Sequence, residues 1–382
     1  MSEWEAFHSH AEWSREDEGQ LADALREGRI PRVAEFNTAF THARRAEDML
    51  VAYYAASQLV AFMIDTYGFD RVIAMLPLWG EGRATPEVFQ RGLGVSADEV
   101  DRAFRAMLGP RLARYAQAFT VDASAYHDRA SRQRAAEASP QDAAAQASAA
   151  AAAYFAGDGA AAAALAERAV RLDSNSHLAR WVRARVALAH HQGREALEEL
   201  DALFAAGKSG FELRMMEAQA ARDAHDDARV RAALDAAVRA DPTRVEPHGI
   251  LAELHRRAHR DAELVSELRQ VVRLDQHDRA SLRALLDALV TARAWADINA
   301  LREHATNLDP ERVAVHLALA QAAQETGNRD AAVFEYESAL ALQPANAAEI
   351  RARVEAVRSG RRGMPPISAP AEGSGAEHDA GH

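Results

Sequence analysis

Apolar residues recur at helical spacing along most of the chain, and short polar breaks interrupt them at regular intervals. In the C-terminal two-thirds, an apolar residue followed by aspartate or glutamine ends each long apolar stretch. The second residues of four such breaks lie at positions 241, 275, 309 and 343, so that each step is 34 residues. Further polar breaks fall between them at Gly157-Asp158, Gly193, Asp226-Asp227, Arg260-Asp261 and Gly327-Asn328. The pattern predicts one pair of helices, each of about 14 residues, in every period.

The period from Val313 to Asn346 has small residues where two helices must approach closely, and a large aromatic residue in its second helix. The small residues are Ala320, Ala332 and Ala339, the aromatic residue is Tyr336, and Pro344 ends the second helix. With the Gly327-Asn328 turn, these positions resemble the tetratricopeptide repeat (TPR) family. The resemblance implies an all-α fold in which helix pairs stack into an α-α superhelix that binds a peptide or protein in its concave groove.

About six such repeats are expected over residues 141–345. Their copies cover about 141–175, 176–210, 211–244, 245–278, 279–312 and 313–346. The early copies are filled with alanine, and the copy at 279–312 has Arg302 at the aromatic position. Residues 346–358 follow helical spacing through Ile350, Val354 and Val357 and predict a capping helix, while 359–382 are expected to be a disordered tail.

Residues 1–120 do not follow the period and are expected to form a small helical domain, joined to the repeats by a polar linker or connecting helix at 121–140. Apolar spacing predicts helices over Gln20–Glu27, Met49–Tyr67 and Phe69–Trp79. Two further helix starts are predicted, one with Thr85 as N-cap and Pro86 after it, and one with a capping box between Ser96 and Glu99.

Several apolar runs of this region resemble the C-terminal helical half of the peptidase MA-like (gluzincin) metallopeptidases. The matching runs are Gly28-Arg-Ile-Pro31 to Phe40, Tyr53-Tyr54-Ala-Ala-Ser57, Phe62 to Gly68, Gly82 to Phe89, and Leu93 to Phe104. In that family, His-Glu-x-x-His and a downstream Glu-Gly supply the zinc ligands, ahead of a stretch like Ser2-Glu-Trp4-Glu5. Both motifs would precede Met1, so the ligand set needed for catalysis is missing from this chain.

The resemblance carries over one functional residue and one structural expectation. Tyr54 aligns with the tyrosine that stabilises the oxyanion in gluzincin aminopeptidases; the alternative is an ordinary buried helix tyrosine. Because the missing part would supply packing partners, residues 1–110 are also expected to expose an apolar patch. The side chains expected to lack partners are Trp4, Phe7, Tyr53, Phe62 and Trp79.

Composition agrees with an all-α fold and narrows the classes of partner. Hydrophobic residues make up 48% of the chain, aromatic residues 6% and charged residues 27%. The net charge of −12 makes nucleic acid and anionic membranes poor partners, because phosphate recognition needs a basic surface. The absence of cysteine excludes disulfides and Cys-ligated zinc, and the sequence predicts no membrane span.

Three pairs of histidines are candidate metal ligands. His255 and His259 have the i, i+4 spacing of zincin ligands, but Arg256 stands where that motif has its catalytic glutamate. We therefore expect structural roles for this pair, and surface positions for His8, His10, His190 and His191. No catalytic residue, cofactor or metal site is predicted, unless a missing N-terminal part supplies zinc ligands.

The concave groove is the predicted functional surface. By repeat register, the first helix of each pair lines it, with mixed charges and amides that suit a peptide or protein partner. These residues are Gln219, Arg222, Glu253, Arg256, Arg257, Arg283, Asp287, Gln321 and Gln324. The alternative is that they are simply solvated positions.

Two hypotheses about function follow. The first is a non-enzymatic TPR scaffold that binds a peptide or protein. The second is the C-terminal portion of a TPR-containing zinc metallopeptidase, of bacterial type, whose His-Glu-x-x-His segment is absent. No signal peptide is evident at the N-terminus, so the chain as it stands is expected to be cytoplasmic, and exported or periplasmic if a part is missing.

Overall fold

The computed structural model describes residues 15–41, 46–116 and 118–360, and these residues are α-helical with no strand beyond an isolated bridge between Ala118 and Ser209. The predicted all-α fold is confirmed. The chain divides into two compact units, Met1–Pro247 and His248–His382. The domain boundaries predicted at residues 120 and 140 lie inside the first unit.

The first unit begins with helices that enclose an apolar core. They are α1 (Arg15–Arg26), α2 (Thr38–Thr41), α3 (Ala46–Tyr67), α4 (Phe69–Gly80), α5 (Thr85–Gly92) and α6 (Ala97–Ala116). Leu21, Met75, Val88 and Leu108 are among the fully buried side chains of this core. Gly68 separates α3 from α4 with a φ of 93°, a conformation that favours glycine.

The capping box predicted before α6 is present. The Ser96 hydroxyl accepts a hydrogen bond from the Glu99 backbone N–H at 3.2 Å, and the Glu99 carboxylate accepts one from the Ser96 N–H at 2.7 Å. The Ser96 N–H and the Ser96 hydroxyl both donate to this carboxylate and lower the pKa of Glu99 below its usual range. The other predicted N-cap was wrong: Thr85 is the first residue of α5, and Ala84 precedes it without a side-chain cap, since Pro86 already sets the first turn.

Some of the side chains expected to lack packing partners are exposed. Tyr53 and Trp79 are 41% and 38% exposed, whereas Phe62 is partly buried and packs against Phe104 with ring centroids 5.8 Å apart. Trp4 and Phe7 lie outside the described residues. Other exposed apolar side chains of this region are Met49, Phe69, Ile73 and Leu76.

The segment predicted as a linker or connecting helix contains a 3-10 helix, Ala123–Tyr126, and α7 (Arg129–Ala138). Three helix pairs complete the first unit: α8 (Ala143–Phe155) with α9 (Gly159–Leu172), α10 (His177–Ala189) with α11 (Gly193–Ala205), and α12 (Phe211–Asp223) with α13 (Asp227–Ala240). Aspartates cap α8, α9 and α13, because Asp142, Asp158 and Asp226 accept backbone N–H bonds from the first turn.

The second unit begins within α14 (Val245–Arg257). This helix forms a pair with α15 (Asp261–Leu274). The following helices are α16 (Arg279–Thr291), α17 (Trp295–Ala300), α18 (Arg302–Leu308), α19 (Val313–Glu325) and α20 (Arg329–Ala341). The last described helix, α21 (Ala347–Arg358), buries Ile350, Val354 and Val357 against the cluster that contains Tyr336.

A left-handed residue recurs in the turn between the two helices of each pair. These residues are Gly157, His191, His225, His259, Arg293 and Gly327, with φ between 52° and 87° and a constant step of 34 positions. A left-handed residue after a helix satisfies the last carbonyl groups and reverses the chain. The predicted period therefore has a physical basis in the backbone of every turn.

The second helix of the 279–312 pair is interrupted at the position where the repeat pattern expects an aromatic residue. Helices α17 and α18 meet at Leu301, and Arg302 follows. The Arg302 guanidinium donates to the Asn299 side chain at 2.9 Å and to the Leu319 carbonyl at 3.1 Å, and it forms an ion pair with Glu335. Polar bonds thus take the place of an aromatic contact.

Candidate functional site

A cavity of about 760 Å³ lies in the second unit, among α14, α15 and α16. Helix α14 contributes Arg256, and α15 contributes Asp261, Leu264 and Leu268. The remaining lining residues belong to α16 and the turn after it: Ala280, Arg283, Ala284, Asp287, Ala288, Thr291 and Ala292.

A row of alanines explains why space remains here. Residues four positions apart lie on one face of a helix, so Ala280, Ala284 and Ala288 present methyl groups along the same wall. The buried leucines Leu264 and Leu268 of α15 form an apolar surface of the same cavity. Its volume falls within the range of about 300–1,000 Å³ found for ligand pockets.

The two arginines of the cavity are already bonded to acidic partners. Arg283 donates from Nε to the Asp309 carboxylate at 2.6 Å, and Asp309 is buried. Arg256 donates to Glu253 at 2.6 Å, and Glu253 also accepts from Arg257 at 2.8 Å. The first bond is the stronger anchor, since the other two are exposed pairs within one helix.

Unlike the two arginines, Asp287 of the cavity is not bonded to a group of opposite charge among the described residues. Within the described parts of the chain, the Asp287 carboxylate accepts no hydrogen bond, and partial burial raises its pKa above the usual value for aspartate. Asp261, the first residue of α15, lines the same cavity. The site therefore combines an apolar wall, bonded guanidinium groups and a carboxylate that lacks a bonded cation.

The structure brings together three of the residues predicted for the groove, Arg256, Arg283 and Asp287. Glu253 and Arg257 lie next to them on α14 but do not line the cavity. Gln321 is only 9% exposed, so it is buried within the second unit. Gln324 accepts a hydrogen bond from the Tyr336 hydroxyl at 3.2 Å, so its amide is bonded within the same unit. Gln219 and Arg222 belong to α12 of the first unit.

Sequence reasoning missed Asp261, Thr291 and the alanine row. The row is visible as alanine at positions 280, 284, 288 and 292, but the same pattern is also typical of close helix packing. In the structure, Leu264 and Leu268 lie across a cavity from the alanine row, and it is this placement that distinguishes a cavity from close helix packing.

An aromatic cluster in the first unit was also missed. Tyr126 stacks on Phe155 with centroids 6.0 Å apart, and Trp181 lies 5.7 Å from Phe155 and 5.5 Å from Tyr154. The Arg185 guanidinium lies 5.6 Å from the Tyr154 ring and 5.4 Å from the Trp181 ring, which is within cation–π range. The signal in the sequence is the presence of large aromatics in repeats otherwise filled with alanine.

The described histidines singled out in the sequence lie in turns or helices, and Tyr54 is bonded inside the core of the first unit. His259 is the left-handed turn residue after α14, and His191 is the equivalent residue after α10. His255 is half-buried, His190 is exposed, and His8 and His10 lie outside the described residues. Tyr54 is buried, donates to Glu18 at 3.0 Å and accepts from Arg111 at 3.1 Å.

The described residues contain neither a candidate metal site nor a candidate membrane span. No group of three or more His, Asp or Glu side chains among them is arranged to hold a metal ion. Nor does any helix in the described ranges have both the length and the apolar character needed to cross a bilayer.

No protein-family model matches the chain, and no curated protein matches it. Among solved structures, it is similar to YrrB, a TPR protein with an unusual peptide-binding site, at 16% identity over 58% of this chain and 97% of YrrB, with a TM-score of 0.35. The Cut9–Hcn1 hetero-tetramer of APC/C matches at 10% identity over 82% of this chain and 64% of that chain, with a TM-score of 0.33. Yeast Tom70 matches at 14% identity over 89% and 72%, with a TM-score of 0.29. The helical repeat of this chain rests on its own helix pairs and on the constant step of 34 positions between their turns.

Proposed function

We propose that this chain is a non-enzymatic interaction scaffold that binds a peptide, or an extended segment of a protein, at the cavity lined by α14, α15 and α16. The observation that carries the proposal is the alanine row of α16, which leaves an open cavity lined by an apolar wall and by charged groups. Apolar surface supplies affinity, and a few placed polar groups supply orientation and specificity.

The exposed charged residues on the lining of the cavity favour a segment of a larger ligand that inserts a side chain. Arg256, Asp261 and Asp287 are exposed residues on its lining, so a segment that inserts a side chain can also bond to them from outside. The net charge of −12 supports a protein or peptide partner over a nucleic acid. Neither a cofactor nor a metal is needed for such binding.

The alternative, that the chain is the C-terminal portion of a zinc metallopeptidase with TPR repeats, rests on the resemblance of residues 1–110. The residue it carries over, Tyr54, is buried and bonded to Glu18 and Arg111. This arrangement favours a structural role for Tyr54, and we rank the scaffold first.

The experiment is a selection of random peptides displayed on phage against the immobilised full chain. Recovered peptides are then tested by calorimetry on the wild type and on Ala284→Trp, which fills the cavity. We expect peptides whose affinity falls at least tenfold in Ala284→Trp and is unchanged in Ala262→Trp, an exposed position of α15 outside the cavity. Circular dichroism checks that both variants keep their helical content. Recovery of no peptide with this dependence would overturn the proposal.

A further inference from the structure

The arginines of the cavity are bonded to carboxylates, whereas Asp287 is not bonded to a cation within the described part of the chain. This difference indicates which charge a ligand should carry. Arg283 and Asp287 are one turn apart on α16, the spacing at which an arginine and an aspartate usually pair. Arg283 instead donates to Asp309, with Nε and Oδ2 2.6 Å apart. Because Asp309 is a buried carboxylate, breaking this bond would remove the guanidinium that donates to it.

Because Arg283 is bonded to Asp309, the negative charge of Asp287 is not neutralised by this arginine. Among the described residues, no donor reaches its carboxylate. The charged groups that share its cavity are Arg256, Asp261 and Arg283, and both arginines are bonded to other acids.

We infer that the cavity takes the basic side chain of a lysine or arginine in the bound segment, with Asp287 as its ion-pair partner. The inference rests on the proposed function and names the chemistry of the inserted residue. A cation placed there gains a carboxylate that nothing else satisfies, and Asp261 adds a second negative charge on the lining. An acidic side chain would face both aspartates and would have to compete with Asp309 for Arg283.

The apolar wall fits the same ligand. Lysine and arginine carry long aliphatic stems that pack on apolar surfaces while the charged group reaches a polar partner. The methyl groups of Ala284 and Ala288 and the side chains of Leu264 and Leu268 provide such a surface along the cavity. Asp287 lies next to Ala288 on α16, at the edge of that wall.

The test uses a peptide whose binding depends on the cavity, and an analogue with its basic residue replaced by norleucine, which keeps the stem and removes the charge. Affinities are measured on the full-length wild type, on Asp287→Asn and on Glu263→Gln, an exposed charge change in α15 away from the cavity. We expect Asp287→Asn to weaken the basic peptide by about fivefold or more, as for an ion pair of about 1 kcal/mol, and to leave the norleucine analogue unchanged. Glu263→Gln should change neither.

The outcomes separate the two proposals. If peptides bind through the cavity but Asp287→Asn affects the basic peptide and its analogue equally, the basic-residue inference is overturned and the scaffold stands. The same holds if the selected peptides carry acidic or only apolar residues at the cavity-dependent position. If no peptide depends on the cavity, both fail together.

Discussion

The imidazole of His316 lies 2.7 Å from the carboxylate of Glu335, measured from Nδ1 to Oε2, and both side chains are buried in the second unit. The other ring nitrogen of His316 is 2.8 Å from the carbonyl oxygen of Pro310. Both partners are acceptors only, so both nitrogens must donate, which requires the doubly protonated imidazolium. The bond to Glu335 accordingly raises the pKa of His316 above its usual value.

The first prediction concerns pH and stability. Because the pKa of His316 is raised in the folded chain, its contribution is fully present below the unfolded value of about 6.5 and is lost as pH rises through the folded value. His316→Gln should therefore lower the free energy of unfolding by about 2 kcal/mol at pH 6, and by less at pH 9. Urea titrations across this range measure it, with His190→Gln as control for loss of an exposed imidazole. Parallel curves for wild type and His316→Gln would contradict the assignment.

A second prediction concerns Arg302, which is bonded to the same carboxylate. Glu335 is almost completely buried, and Arg302 is the guanidinium that neutralises it beside His316. Removing one partner of a buried pair leaves a charge without compensation, so Arg302→Ala should cost about 3 kcal/mol. Arg351→Ala, an exposed change on α21, should stay within about 0.5 kcal/mol. A loss in Arg302→Ala no larger than in Arg351→Ala would show that the interrupted helix does not depend on this bond.

The sequence predicted the period correctly because the breaks have a local cause. Each turn has a left-handed residue, and Asp158, Asp226 and Asn328 also cap the helix that follows, so glycines and capping residues such as Gly327 and Asp226 are visible one position at a time. Arg302 was recognised as a departure from the repeat, but its bond to Glu335 spans 33 positions and depends on how helices meet.

The candidate site was predictable only in part for the same reason. Register placed Arg283 and Asp287 on one face of a helix, and the structure agrees. Which of the two is bonded depends on Asp309, which follows the two short helices α17 and α18, and local sequence patterns do not determine that distance. Gln321 shows the converse, since a polar residue at a groove position is buried once its neighbours pack.

A third prediction uses two glycines one period apart. A Cβ atom at Gly193 would lie 2.3 Å from the Ala220 carbonyl oxygen and 2.6 Å from the Ala224 nitrogen, and backbone atoms cannot move aside cheaply. Gly193→Ala should destabilise the first unit by about 3 kcal/mol. Gly159, at the equivalent position of the preceding pair, has open space, so Gly159→Ala should be neutral or stabilising by up to about 1 kcal/mol. Equal effects of the two substitutions in thermal unfolding would contradict the close helix approach.

A fourth prediction concerns the two faces of α4. Val72 and Met75 are buried in the core of the first unit, whereas Ile73 and Leu76 are exposed although they are apolar. Changing both exposed residues to glutamine should alter the free energy of unfolding by less than about 1 kcal/mol and reduce the fluorescence of a dye that binds apolar surface. Met75→Ala should cost about 3 kcal/mol. Unchanged dye binding in the double variant would show that this face is not an accessible apolar surface.

The last prediction compares the two aspartates that compete for Arg283. Asp309 is buried and bonded to Arg283, so Asp309→Asn should destabilise the second unit by about 2–3 kcal/mol.

Asp287 is in the opposite state: partial burial raises its pKa, and no described donor offsets the cost of ionising it. For an acid with a raised pKa, that cost is absent below the unfolded value of about 3.9 and grows as pH rises through the folded value. Asp287→Asn should therefore be neutral near pH 3.5 and slightly stabilising at pH 7, by no more than about 0.5 kcal/mol because the side chain is exposed to solvent. Urea titrations of the two variants at both pH values measure the contrast. A loss of stability in Asp287→Asn at pH 7 would mean that the carboxylate is already paired within the fold. A stabilising effect would identify Asp287 as a residue whose charge is costly to the free chain, as expected where a group serves a ligand rather than the fold.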